Sequence, residues 1–236
     1  MTNEITVDLI DSCGTDLTVV NAARVSFDKE AEWGWERYDQ DDFKRVLRPR
    51  DKKLIEYLAE HEHWSPFAHT FLQFRITAPI FVARQLGKHQ VGLVWNEVSR
   101  RYVDEDPVFF KPKEFRGKPI NKKQGSSKEI IDINPSTGSG PMFVDEYDRV
   151  MNTSKWTYNQ LLSLGVCPEQ ARLVLPQAMM TSWYWSGSLF AFSRVYNLRS
   201  KEDAQEECQD VAKELDKHCK HKFPISWKHL TTGTVP

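Results

Sequence analysis

Residues 70–77 (TFLQFRIT) alternate strictly, with Leu72, Phe74 and Ile76 on one face and Gln73, Arg75 and Thr77 on the other. A period of two with one apolar face describes a half-buried strand and is incompatible with a helix. Pro79 follows, and its fixed φ suits the first turn of a helix over 79–88 (PIFVARQLGK) that stops near Gly87. Further helices are expected at 16–26, capped by Asp16, and at 51–62, where Leu54, Ile55 and Leu58 share a face. His63-Trp64-Ser65-Pro66-Phe67 breaks the second of these, and the charged, aromatic segment 27–50 reads as surface.

The C-terminal half is more helical. A long amphipathic helix is predicted over 142–164, ending at Gly165, with a short one starting near Pro168. Residues 177–184 are ambiguous, with strand preferred. Two more helices are expected at 188–199 and 202–221, the last with Ala204, Cys208, Val211, Ala212, Leu215 and Cys219 in a buried stripe. Strands and helices do not alternate as βαβ units, so an α+β fold is expected over a parallel doubly wound sheet.

Between the two halves lies 107–141, with five prolines, four glycines and many lysines. It is more than twice the roughly 12–15 residues at which structureless loops become uncommon. It reads either as a disordered surface insertion or as a flap over a binding site. No internal repeat is present.

Composition narrows the function classes. Lys+Arg 32 against Asp+Glu 33 gives a net charge of −1, so nothing general points to a nucleic-acid or membrane-surface partner. Cys13, Cys167, Cys208 and Cys219 are scattered without a C-x-x-C pair, which argues for free thiols over a zinc site or a disulfide framework. The opening MTNEITVDLI lacks the basic and apolar stretches of a signal peptide, and no apolar run approaches the roughly 18 residues of a membrane span. A soluble, cytoplasmic protein is the expectation.

Anion chemistry must therefore come from local clusters. The densest is 84–102, which holds Arg84, Lys88, Arg100 and Arg101, one histidine (His89) and a single acid (Glu97). Paired arginines fork onto phosphate oxygens, and Ser99 adds a hydroxyl. Interleaved Trp95, Val98 and Tyr102 argue against a merely solvated basic helix end. Ser99 as a nucleophile needs a nearby base oriented by a third group, and nothing local supplies one. The tail His218-Cys219-x-His221 is crowded by Lys217, Lys220 and Lys222, so no metal is expected there. G-x-G-x-x-G and Walker A sequences are missing, which disfavours Rossmann and P-loop nucleotide folds. Arg199, closing a helix after Tyr196-Asn197-Leu198, reads either as a surface ion-pair partner or as a fork aimed at a base or carboxylate.

Taken together, these segments resemble the flavin-dependent thymidylate synthases. That family carries R-H-R, seven residues, then S-x-R. Ala78-Pro79-Ile80-Phe81-Val82-Ala83-Arg84-Gln85 and Asn96-Glu97-Val98-Ser99-Arg100-Arg101-Tyr102 follow the surrounding pattern closely. Ala22-Ala23-Arg24-Val25-Ser26, His61 through Phe67, Glu169-x-Ala171-Arg172-x-x-Leu175-Pro176, Ser186-Gly187-Ser188, Asn197-Leu198-Arg199 and Ala204-Gln205 fall in the same order. The triplet itself departs, standing as Lys88-His89-Gln90 with one extra residue before Ser99. Ser188 and Phe190 stand where many members have Asn and Arg, and Asp203 where a histidine is common.

The resemblance implies a single α+β domain over 1–236, with a mainly antiparallel sheet packed by helices and an insertion at about 107–141. It implies a homotetramer with sites between subunits. The implied reaction is reductive methylation of dUMP to dTMP, with 5,10-methylenetetrahydrofolate as carbon donor and NAD(P)H as reductant through FAD. Arg199 is the implied catalytic residue. Gln85, Lys88, Glu97, Ser99, Arg100, Arg101, Arg172 and Arg199 would hold dUMP. His63, Ser65, Lys88, His89, Gln90, Glu97, Ser188 and Arg194 would line FAD, with no metal and no nucleic-acid or membrane partner. A different class of reading is a non-catalytic nucleotide or single-stranded nucleic-acid binding module, whose Trp95 and Tyr102 would stack bases.

Overall fold

The computed structural model describes residues 2–39, 42–103, 105–120, 125–131 and 143–232. The first half contains β1 (Thr6–Cys13), α1 (Asp16–Arg24), β2 (Gly34–Arg37), β3 (Phe43–Val46), α2 (Pro49–Glu60), β4 (Phe71–Pro79), α3 (Ile80–Leu86) and β5 (Leu93–Glu97). The second contains α4 (Phe143–Ser163), α5 (Pro168–Ala171), β6 (Met180–Ser188), α6 (Leu189–Arg199), α7 (Glu206–Lys222) and α8 (Pro224–Thr232). The sheet runs β1-β4-β6-β5, antiparallel at every pairing, and β2 and β3 form a separate hairpin.

The alternation in β4 is honoured. Leu72, Phe74 and Ile76 are buried, while Gln73, Arg75 and Thr77 keep access to solvent. On the buried face Phe74 meets Phe192 of α6 edge to face at 5.0 Å, and Trp185 of β6 meets the same ring at 5.4 Å. Such pairs add stability beyond the area they bury. α7 lays Cys208, Val211, Ala212, Leu215 and Cys219 into this core. Ala204 lies before α7 begins and is only half-buried. β6 was ambiguous in sequence for a physical reason. It is central, and Met180 to Trp183 are all buried, so no alternation remains to be read.

Five elements were not expected. β1 is an edge strand whose pairing shifts between Leu9 and Asp11, and this bulge breaks the alternation. β5 is the opposite edge, hidden within the cationic run. The hairpin β2–β3 lies in the segment read as surface and leaves Trp35 and Phe43 exposed. α8 also went unread: Pro224, two residues past the end of α7, reads as a helix stop although it also opens the next helix.

Asp16 corrects one expectation. α1 is capped by Thr15, through a reciprocal bond with Thr18. Asp16 is instead buried and accepts from the amides of Ile225 and Ser226, at 3.0 and 2.9 Å, in the first turn of α8. It caps a helix more than two hundred residues away.

The 107–141 segment divides. Residues 121–124 and 132–141 lie outside the described residues. The remainder is tied down: Met180 and Phe110 amides bond the carbonyls of Val108 and Ala178, both at 2.8 Å. Gly117 and Ser127 amides bond Glu129 and Gly117 carbonyls, and Arg116 grips Glu206 and Glu207 at 3.1 and 2.7 Å. No helix among the described residues is long and apolar enough to cross a membrane.

What positions the site is the strand-to-helix geometry. β4 and β6 pair antiparallel from Phe71↔Ser188 to Pro79↔Met180, so α3 and α6 leave opposite ends of the sheet. α6 runs 11 residues, roughly 16 Å, and α3 runs 7, roughly 10 Å. Running back across a nine-residue strand of roughly 30 Å, they bring their C-termini together.

Candidate active site

Where α3 and α6 converge, Arg199 meets His89 and Gln85. Arg199 Nε donates to His89 Nε2 at 2.9 Å, and Nη2 donates to the Gln85 carbonyl at 3.2 Å. The carbonyl is one that the short α3 leaves unsatisfied at its end. A guanidinium has five donors, so these two bonds fix its plane and leave the others for a ligand.

His89 must be neutral for this arrangement. Burial, then the charge of Arg199 and that of Arg194, lowers its pKa from 6.5 to about 4. With Nε2 accepting from Arg199, the ring's proton resides on Nδ1, so the imidazole presents a donor. Its own amide bonds the Leu86 carbonyl at 2.9 Å, holding the turn beyond α3.

Beside this junction is a cavity of about 500 Å³, lined by Phe81, Arg84, Gln85, Lys88, Gln177 and Gln205. Gln85 and Lys88 are two of the residues expected to hold a nucleotide. Arg84, Gln177, Gln205 and Phe81 had been given no role, although Arg84 belongs to the cationic run and Gln205 to the Ala204-Gln205 motif. Phe81 is held from behind by Phe110 of the insertion, edge to face at 5.9 Å. Gln85 Nε2 donates to Gln205 Oε1, and the Cys208 thiol donates to Gln85 Oε1 at 3.5 Å.

Strand β5 separates the other expected residues. Its register, Leu93↔Gly187 to Glu97↔Trp183, puts Lys88-His89-Gln90 at one end and Ser99-Arg100-Arg101 beyond the other. Five extended residues span roughly 15 Å. Glu97 is anchored at that far end, accepting from Thr181 Oγ1 at 2.8 Å and Trp95 Nε1 at 3.2 Å. Ser99 Oγ accepts from Arg101 Nε at 3.3 Å, and the Arg101 guanidinium sits 5.0 Å from the Tyr102 ring centre. Arg101 and Arg172 are exposed.

Two expectations change in kind. Arg100 is 6% exposed and its guanidinium donates to the carbonyls of Glu105 and Asp106 in its own loop. It therefore does not fork outward beside Arg101. Ser188 is buried as the N-cap of α6, its Oγ accepting from the Ala191 amide at 3.2 Å. A helix leaving a strand leaves orphan amides, and a serine at the junction satisfies one.

The remaining cofactor candidates are exposed. His63 lies edge-on to Tyr57 at 5.9 Å, and Tyr57 stacks on His61 at 4.1 Å. Ser65 opens the 3-10 turn Ser65–His69, and Trp64 approaches Phe190 at 6.0 Å. Among the described residues, the side chains of Ser65, Lys88, Gln90 and Arg194 make no hydrogen bond.

Residues 8–225 match the thymidylate synthase complementing protein family. The flavin-dependent thymidylate synthase of Kosmotoga olearia is 34% identical over 222 residues, covering 94% of this chain and 88% of that one. A protein of the same name from Thermus thermophilus is 32% identical over 231 residues, covering 96% and 77%. A solved structure of a UMP/dUMP methylase, PolB from Streptomyces cacaoi, bound with 5-Br dUMP, superposes with a TM-score of 0.75. It is 28% identical and covers 97% of this chain and 95% of that one.

Proposed function

The chain belongs to the flavin-dependent thymidylate synthase family, and we propose that its site performs that chemistry on deoxyuridylate. The reaction is reductive methylation of dUMP to dTMP. 5,10-Methylenetetrahydrofolate gives the carbon, NADPH the reducing equivalents, and FAD is the resident cofactor. The similarity to a UMP/dUMP methylase supports a uracil nucleotide as substrate. The observation that carries the reading is Arg199, a permanent cation held by His89 and the Gln85 carbonyl at the edge of a polar, cationic cavity.

The donor set fits a flavin dinucleotide. Lys88 and Arg194 supply cations for a pyrophosphate, and Ser65, Gln90 and the His89 Nδ1–H supply neutral donors for a ring edge. FAD, when bound, carries electrons from NADPH to the pyrimidine. The protein's residues do the rest. Activating uracil places negative charge on N3 and a neighbouring carbonyl, and Arg199 stabilises it without reorganising, because it is charged and aimed beforehand. Gln85, Lys88 and Arg199 hold the nucleotide at this end, while Ser99, Arg101 and Arg172 hold phosphate. Glu97 stands between nucleotide and flavin, and His63 lines the flavin. Arg100 and Ser188 serve indirectly, by fixing the phosphate loop and the start of α6. Ser99 is given no base to activate it as a nucleophile: its bonded partner is Arg101, which cannot accept a proton.

The roughly 15 Å of β5 between Lys88 and Ser99 exceeds the reach of one mononucleotide. This supports a homotetramer in which a site combines Ser99 and Arg101 of one subunit with Gln85 and Arg199 of another. Free Cys13, Cys167, Cys208 and Cys219 suit the reducing cytoplasm. A nucleic-acid module is disfavoured, because Trp95 stacks on buried Trp183 at 4.3 Å and is not offered to bases.

The test is formation of thymidylate from dUMP, methylenetetrahydrofolate and NADPH, dependent on added or retained FAD. Arg199→Ala should keep flavin and lose roughly a hundredfold or more in turnover. Turnover near wild type in that variant removes Arg199 from the chemistry.

A further inference from the structure

Beneath Arg199 lies a chain of polar groups of which the reaction above uses only Gln85. Cys208, fully buried on α7, donates its thiol proton to Gln85 Oε1 at 3.5 Å. That assigns the Gln85 carbonyl to the core side and its NH2 to the cavity side, where it donates to Gln205 Oε1. Gln205 is the N-cap residue of α7, with its own carbonyl held by the amides of Cys208 and Gln209 at 2.9 and 3.0 Å. Its side chain does not cap the helix. With Oε1 occupied, Nε2 is left without a partner among the described residues, at the cavity wall.

The direction of this chain is fixed at its buried end. Burial, reinforced by Glu207 and opposed by Arg199, pushes the Cys208 thiol up to about 11, so it stays protonated across the working range. A protonated thiol offers one weak donor and a weakly accepting sulfur, and here the donor is turned to Gln85 Oε1. Turning the Gln85 amide over would aim an NH2 at sulfur and force Gln205 to turn as well. The cavity would then show an acceptor, Gln205 Oε1, beside the oxygens of an anionic nucleotide. As arranged, Gln205 turns its NH2 to the cavity beside the cations Arg84 and Lys88, while Gln177 adds an amide with both a donor and an acceptor.

We propose that Gln205 is a nucleotide-binding residue that donates to an acceptor oxygen of the substrate, and that Cys208 is the positioning residue that orients it through Gln85. This rests on dUMP being the substrate. The oxygen acceptor is either a pyrimidine carbonyl or a phosphate oxygen, and the two share this chemistry.

The experiment uses flavin-loaded enzyme and measures dUMP and deoxyuridine binding by calorimetry, with kcat and KM for dUMP. Gln205→Glu replaces the donor by a charged acceptor and should weaken dUMP roughly tenfold or more. Cys208→Ala should raise KM about three- to tenfold with kcat little changed. Cys208→Ser keeps a donor and should restore wild-type KM. A loss shared by deoxyuridine assigns a base carbonyl; a loss confined to dUMP assigns phosphate. Gln205→Glu binding dUMP within about twofold of wild type overturns the proposal, as does equal behaviour of the Ala and Ser variants. Should Cys208→Ala fail to fold, Gln205→Glu decides alone. A wild type that binds no dUMP overturns the substrate reading itself, which separates the two failures.

Discussion

His89 makes stability itself report on the site. In the folded chain its pKa falls from 6.5 to about 4, through burial first and then Arg199 and Arg194, both on α6. The folded state therefore binds fewer protons than the unfolded one between those values. Its contribution is complete above about pH 6.5 and is lost as pH falls toward 4. At 1.36 kcal/mol per unit the full shift corresponds to about 3 kcal/mol. The ring is only half-buried, so solvent screening reduces this to about 1.5 kcal/mol. Carboxylates titrate in the same window, so the measurement is a difference. His89→Gln offers Arg199 a carbonyl acceptor and takes no proton. Urea denaturation of both proteins at about pH 7 and about pH 4.5, a window that spans most of the shift, should show wild type losing about 1 kcal/mol more than the variant. A ring titration followed by NMR should place the His89 midpoint well below 6. Equal losses in the two proteins, or a midpoint near 6.5, would refute the neutral His89–Arg199 pair.

Asp16→Ala should cost about 1–2 kcal/mol, since it strips the cap and a favourable charge from the first turn of α8; Asp16→Asn should recover most of it in thermal melts. Ser99→Ala should weaken dUMP by about 1 kcal/mol, one lost hydrogen bond, with chemistry intact. Total inactivation at unchanged affinity would instead make Ser99 a nucleophile. Arg116→Ala should release the insertion from α7. Hydrogen exchange at Gly117, Ser127 and Ile131 should then speed up relative to wild type, whereas unchanged protection would mean that the backbone bonds hold the segment alone.

Legibility followed local physics. β4 was readable because one face is buried and the other is not, so burial is written as a period of two. α7 was readable for the same reason at helical spacing. β6 carried no such signal because both faces are covered from Met180 to Trp183, and β1 and β5 carried little because edge strands tolerate polar residues and, in β1, a bulge. The described part of the insertion shows contacts that composition does not carry. Its proline, glycine and lysine content left a disordered insertion and a flap both open, whereas Arg116 meets two carboxylates of α7 that no local rule pairs with it.

By itself, then, the sequence determined the class of fold, the family and the concentration of cations at 84–101. All of these depend on residue types and spacings along the chain. Only the tertiary structure decided which cations face outward. Arg100 and Arg101 are neighbours with the same charge, yet one is buried on carbonyls of its own loop and the other is exposed. Likewise Asp16 is a helix cap, as its type suggests, but of α8 rather than α1. Cys208, Gln85 and Gln205 form one hydrogen-bonded chain across more than a hundred residues. Donor direction and burial are properties of what the fold brings into contact, and sequence proximity does not encode them.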